Sequence, residues 1–104
     1  MNEDIINEFI RSMKVRNLAG RTISETLRKL YLFFDWLARY NVTEVDGITK
    51  EIVQAWQVEL YQAINAKGKQ NSVRYQNSQI RAVKQFTRFL HERDYIVSDP
   101  AKSV

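Results

Sequence analysis

The sequence predicts an all-α domain of four helices, and three observations lead to this prediction. Apolar residues recur every three or four positions in four separate stretches, which is the spacing of amphipathic helices. One proline and three glycines interrupt the 104 residues, and so few breakers argue against a fold of short strands and tight turns. A chain of this length can bury one core but not two, so we expect a single domain.

The first two helices are predicted from their apolar stripes and from a capping motif. Residues 4–18 form the first helix, and Gly20 is expected to break it. The second helix is predicted over residues 22–40, because Thr22 and Glu25 have the spacing of a capping box. Its apolar stripe consists of Ile23, Leu27, Leu30, Phe34 and Leu37.

The third and fourth helices are also predicted from periodicity and caps. Thr49 is expected to cap a helix over residues 50–66, with Gly68 as its left-handed C-cap. Ser72 is expected to cap a fourth helix that runs to about Arg93. The predicted buried faces are Val53, Trp56, Leu60 and Ile64 on the third helix, and Val73, Ile80, Val83, Phe86 and Leu90 on the fourth.

The last ten residues have few apolar side chains around which to fold. Asp99-Pro100 also stops regular structure. We therefore expect residues 1–97 to form the domain and residues 98–104 to begin a linker.

Several classes of site and location are excluded by composition. The chain has no cysteine and one histidine, so disulfides, thiolate metal sites and paired-histidine metal sites are excluded. The sequence contains no glycine-rich phosphate loop and no recognisable catalytic acid–base pair, so we expect no catalytic residue, metal or cofactor. The N-terminus has no signal peptide and no apolar run spans a membrane, so we expect a cytoplasmic domain without a membrane partner.

Positive charge is concentrated in two stretches that contain no acid. Between Glu59 and Glu92 an even distribution of the chain's 12 acids would place three or four, yet none occurs there. The first stretch, between Glu8 and Glu25, is likewise free of acids. The cations are Arg11, Lys14, Arg16 and Arg21 in the first stretch, and Lys67, Lys69, Arg74, Arg81, Lys84 and Arg88 in the second.

The fourth helix is predicted to present its cations on one face. At 100° per residue, its four cations fall within an arc of about 80°; these are Arg74, Arg81, Lys84 and Arg88. Asn77, Ser78 and Gln85 lie on the same side. Cations neutralise phosphates and amides pair with base edges, so this mixture predicts contact with double-stranded DNA. The candidate DNA-contacting residues that this face offers are Arg74, Asn77, Ser78, Arg81, Lys84, Gln85 and Arg88.

The start of the second helix is a second candidate contact. Free backbone N–H groups and the helix dipole favour a phosphate there. The candidate DNA-binding residues at this end are Arg21, Thr22, Ser24 and Arg28. Three further cations, Arg11, Lys14 and Arg16, are equally compatible with backbone contact and with plain solvation.

Three alternatives remain open from these residues. The basic face could be simply solvated, although such faces usually mix both signs of charge. A helical protein–protein interaction module could use it to bind an acidic partner. A standalone helix-turn-helix regulator would also bind DNA.

Three stretches of the sequence have spacings that occur together in one known family. The first places Thr22, Thr26, Leu30, Phe33, Trp36 and Leu37 in a regular series. The second, ITKEIVQAWQVEL, opens on Ile48-Thr49-x3-Val53. The third contains Ile80-x-Ala82-Val83-Lys84-x-Phe86-x-x-Phe89-Leu90 and closes on Asp99-Pro100-Ala101. Together they resemble the core-binding (SAM-like) domains of tyrosine recombinases, the phage-integrase type.

The resemblance implies a four-helix domain that presents helices two and four to the major groove. It implies a catalytic domain joined after the linker, which would break and rejoin DNA, and a recombinase oligomer assembled on the DNA. Carried over by position, the resemblance places nine candidate residues in the groove, and these are nearly the set that charge and periodicity indicate: Arg21, Thr22, Ser24 and Arg28 on helix two, and Arg74, Asn77, Ser78, Arg81 and Lys84 on helix four. The departures from the family pattern are Thr26 for a common Tyr, Tyr75-Gln76 for Thr-Ile, and Ser78-Gln79 for commonly basic residues.

Overall fold

The computed structural model describes all 104 residues and contains four α-helices, which confirms the all-α prediction. They are α1 (Glu3–Val15), α2 (Gly20–Arg39), α3 (Lys50–Gln62) and α4 (Val73–Glu92). A single 3-10 turn, Val45–Gly47, lies between α2 and α3. No β-strand forms; one isolated antiparallel bridge pairs Ile64 with Gln70.

Aromatic side chains join the four helices in one core. Phe86 of α4 lies between Phe9 of α1 and Phe34 of α2, with ring centroids 5.3 Å away in both cases. Trp56 of α3 packs against Phe33 of α2 at 5.5 Å. The two Phe86 contacts are edge-on, an arrangement that aromatic pairs favour. The core therefore holds α2 and α4 directly against each other.

Two of the predicted helix starts are confirmed and one is wrong. The Thr49 hydroxyl accepts a hydrogen bond from the Ile52 N–H, and Ser72 caps α4 in the same way. Helix α2, however, begins at Gly20, two residues before Thr22, and its N-cap, Ala19, offers no side-chain acceptor. Gly20 therefore begins α2 instead of breaking α1, and the capping box does not form.

Three helices end in the same way, at an Asn or Asp in the left-handed region. Asn17, Asn41 and Asp94 have φ of 62°, 61° and 62°. After each of them the next N–H bonds back five residues, as Leu18 does to the Met13 carbonyl at 3.2 Å. This is the Schellman pattern, and it ends α1 at Val15 instead of Leu18.

Helix α3 ends four residues before its predicted end because the chain turns back on itself. Residues 64–70 form a short hairpin closed by the Ile64–Gln70 bridge. Gly68 has the predicted left-handed backbone, with φ of 74°, but it lies at the hairpin tip and not at a helix cap. Ile64 and Val73 flank this turn and are exposed, at 65% and 71%, so their prediction as core residues is wrong.

The C-terminal residues pack on the domain. Ala101 is fully buried, and Ile96 and Val104 lie half-buried against the core. The Asp99 carboxylate accepts a hydrogen bond from the Ala101 N–H at 3.0 Å. The expectation that this segment has little to fold around is wrong, whereas its role as the start of a linker stays a prediction.

Candidate nucleic-acid interface

The outer face of α4 has the orientation that periodicity predicts. Arg74, Asn77 and Arg81 are exposed, while Ser78 and Lys84 are half-buried at the edges of the face. On the opposite side of the helix Val83, Phe86 and Leu90 are fully buried. The outer side of α4 is therefore the side that faces solvent and can meet a partner.

The cations of this face are almost unopposed by acids. Arg88, at the C-terminal end, pairs with Glu92 at 2.8 Å. Arg74, Arg81 and Lys84 take no part in the chain's three ion pairs. Their charge is therefore available to an anionic partner.

The N-terminus of α2 differs from those of the other helices, because no side chain caps it. The first turn of an α-helix leaves backbone N–H groups without a helical partner. Thr22 lies inside this first turn, and its carbonyl accepts a hydrogen bond from the Thr26 hydroxyl at 2.9 Å. The exposed Thr22 side chain is therefore not used as a cap, contrary to its predicted structural role.

Charge at this end of α2 is partly compensated. Arg21 pairs with Glu25 at 3.4 Å, with the two side chains 89% and 47% exposed. Such exposed pairs contribute little, so Arg21 can exchange Glu25 for another anion. Ser24 and Arg28 are exposed, and Arg28 forms no ion pair.

The two candidate sets lie on helices that pack directly together. The Phe34–Phe86 contact joins α2 to α4, while all nine candidate residues lie outside the buried core. The fold thus combines both sets on the surface of one helix pair.

Two glutamines of α4 have side-chain oxygens that are buried without a hydrogen-bond partner. Gln79, which replaces a commonly basic residue of the family pattern, is buried, and its Oε1 has no hydrogen-bond partner. The signal was available, because Gln79 precedes Phe86 by seven residues and so shares its side of the helix. Gln85, which periodicity places on the cationic side, is half-buried like Ser78 and Lys84, and its Oε1 has no hydrogen-bond partner.

A groove between α1 and α4 brings further arginines close to the end of the basic face. Arg11 of α1 and Arg16, the C-cap residue of α1, line it together with Gln85 and Arg88 of α4. Neither Arg11 nor Arg16 takes part in an ion pair. The two interpretations of these α1 cations, backbone contact and solvation, both remain open.

Glu8, an acid that lines the same groove, is used structurally. Glu8 accepts hydrogen bonds from Arg93 at 2.7 Å and from the Tyr95 hydroxyl. The hydrogen bond to Glu8, followed by partial loss of hydration and the charge of Glu8, raises the pKa of Tyr95 above 10.0. This network fixes the end of α4 to α1.

No group of three His, Cys, Asp or Glu side chains is positioned to hold a metal ion. None of the helices combines the length and apolar character needed to cross a membrane.

A scan of protein-family models finds no match to this chain, and searches of curated proteins and of solved structures find none either. The function must therefore be inferred from the residues and their geometry.

Proposed function

We propose that this chain is a DNA-binding domain that grips duplex DNA with the outer face of α4 and the N-terminus of α2. The observation that supports the proposal most directly is the row Arg74, Arg81 and Lys84, which lies outside the core and forms no ion pair. Cations of this kind neutralise phosphates and release counterions. Asn77, exposed beside them, has the amide that reads adenine in the major groove.

The finer part of the proposal is that the domain is the core-binding domain of a tyrosine recombinase. It is supported by the three sequence stretches, whose apolar positions Leu30, Phe33 and Phe86 are buried in the core. On this proposal the domain positions a recombination site while a catalytic domain joined after Val104 cuts and rejoins the strands. Reading the coding sequence past Val104 tests it, and an unrelated continuation would contradict it.

A salt series tests the DNA proposal. The affinity for a random-sequence duplex is measured by fluorescence anisotropy across salt concentrations, and log K should fall linearly with log salt by about 0.9 per phosphate bound. The variant Arg81→Ala/Lys84→Ala should bind more weakly and lower the slope by about 1 for each phosphate that it no longer binds. Absence of binding at low salt would refute the proposal.

A matched control removes the same charge elsewhere. Lys50 is exposed at the start of α3, and Lys102 is exposed in the C-terminal turn. The variant Lys50→Ala/Lys102→Ala should keep the wild-type salt slope, because a general charge effect changes association without removing a bound phosphate. Equal slopes for the two variants would show that the α4 face makes no local contact.

A protein–protein interaction module is the second candidate, and one observation favours it. Val58, Tyr61 and Ile64 are exposed at 52%, 61% and 65% near the end of α3. A partner bound there would be held by apolar contact, so its affinity would change little with salt. Salt-independent capture of a protein, together with no DNA binding, would favour this candidate.

A further inference from the structure

The hairpin between α3 and α4 presents two lysines at its tip. Lys67 and Lys69 flank Gly68, whose φ of 74° allows the tight reversal. Both lysines are exposed and neither forms an ion pair. They belong to the same acid-free stretch as the cations of α4.

The tip is fixed internally by one asparagine. The Asn65 Oδ1 accepts hydrogen bonds from the backbone N–H groups of Lys67 at 2.9 Å and of Lys69 at 3.1 Å. The Asn65 backbone bonds across the turn in both directions, to Lys69 and to Gly68. The backbone that bears both lysines is therefore ordered before any partner arrives, which lowers the entropic cost of binding.

Side chains also attach the hairpin to both neighbouring helices. Gln70 donates to the Tyr61 carbonyl at 2.7 Å, and Asn71 donates to the Leu60 carbonyl at 3.0 Å. These bonds satisfy carbonyls that the end of α3 leaves free. Gln76 of α4 then donates to the Asn71 carbonyl at 2.9 Å. The hairpin is thus held at a defined position beyond the N-terminus of α4.

We propose that the 64–70 hairpin is a second DNA-contacting element, in which Lys67 and Lys69 bind phosphates next to the groove that α4 enters. The inference rests on the proposed function. The cations from Arg74 to Arg88 extend along about 21 Å of helix, whereas the major groove is about 12 Å wide. A helix that crosses the groove therefore has an end at the phosphate backbone, and the hairpin adjoins the N-terminal end.

The chemistry of the hairpin suits phosphates and not bases. Lysine is a compact point charge that binds a phosphate without fixed geometry. Phosphate contacts set the position of a protein on the duplex and carry no sequence information. The hairpin would therefore add affinity and orientation, while sequence readout stays with α4.

The test is a salt series on the variant Lys67→Gln/Lys69→Gln, measured with the same random-sequence duplex. Because this variant should bind two fewer phosphates, its slope of log K against log salt should fall by about 1.8. The variant Lys67→Arg/Lys69→Arg keeps both charges and should retain the wild-type slope. A circular-dichroism melt close to that of the wild type verifies folding, since neither side chain has a partner in the fold.

The control Lys50→Gln/Lys102→Gln removes the same charge, with Lys50 at the opposite end of α3. It should keep the wild-type slope, and equal slopes for the control and the hairpin variant would overturn the inference. If the Arg81→Ala/Lys84→Ala variant lowers the slope while the hairpin variant does not, the hairpin inference fails and the proposed function stands. If the wild type binds no duplex at low salt, both fail.

Discussion

Replacing Gln79 by Met should stabilise the domain without changing its affinity for DNA. Gln79 lies on the buried side of α4 at 2% exposure, and its Oε1 accepts no hydrogen bond. Met is unbranched and similar in length, so it can occupy the same space without the unpaired acceptor. The substitution therefore tests whether the packing side of α4 can be changed without affecting its proposed DNA-binding side.

The expected gain follows from two opposing effects. A buried acceptor without a partner costs about 1–3 kcal/mol. A volume-conserving substitution in a core costs less than about 1.5 kcal/mol. We expect a net gain of about 1 kcal/mol, which raises the melting temperature by about 4–8 °C in a domain of this size.

The assay is thermal unfolding followed by circular dichroism, with DNA affinity measured on the same samples. Gln54→Met is the matched control, because Gln54 is exposed on α3 and its replacement should change stability by no more than about 0.5 kcal/mol. A lower melting temperature for the Gln79 variant would refute the packing argument. A weaker DNA affinity at unchanged stability would show that Gln79 contacts the DNA.

Two further predictions concern the end of the chain. The raised pKa of Tyr95 means that the folded state holds the phenol proton more tightly than the unfolded state, so this stabilisation is present at neutral pH and is lost as the pH rises above 10. In an ultraviolet titration Tyr95→Phe should remove a tyrosine ionisation that lies above pH 10, and an absorbance change above pH 10 equal to that of the wild type would contradict this. Ala101→Leu should lower the stability to urea by about 1–3 kcal/mol through overpacking, because Ala101 is fully buried, and an unchanged urea midpoint would show that the C-terminal turn does not pack on the core.

Features that depend on neighbouring residues were predictable from the sequence. The caps Thr49 and Ser72 each act on an N–H three residues ahead, so a short window contains the whole interaction. The two sides of α4 also follow from one period, which places Val83, Phe86 and Leu90 together. The exposed placement of the basic face therefore needed no tertiary information.

Features that depend on distant residues were not predictable in this way. Helix α3 ends early because the side chains of Gln70 and Asn71 donate hydrogen bonds to its last carbonyls. The apolar spacing up to residue 66 does not predict those hydrogen bonds. The start of helix α2 at Gly20 is a local exception, because the Schellman turn at Asn17 lies only three residues before it, whereas the Thr22–Glu25 spacing predicted a later start. Burial of Ala101 depends on packing against residues far away in sequence.

The charge pattern of α4 is unfavourable for the isolated fold, and this bears on its function. Arg81, Lys84 and Arg88 follow one another at spacings of three and four residues, where like charges destabilise a helix by about 0.2–0.5 kcal/mol per pair. Acids three or four residues from these cations would have made the charge interactions stabilising. Only Arg88 has such an acid, Glu92, with which it forms an ion pair. The buried side of α4 offsets this repulsion through the contacts of Phe86 with α1 and α2. Residues that conflict with the stability of their own element are typical of functional sites, and a polyanion such as DNA is the partner that would relieve this conflict.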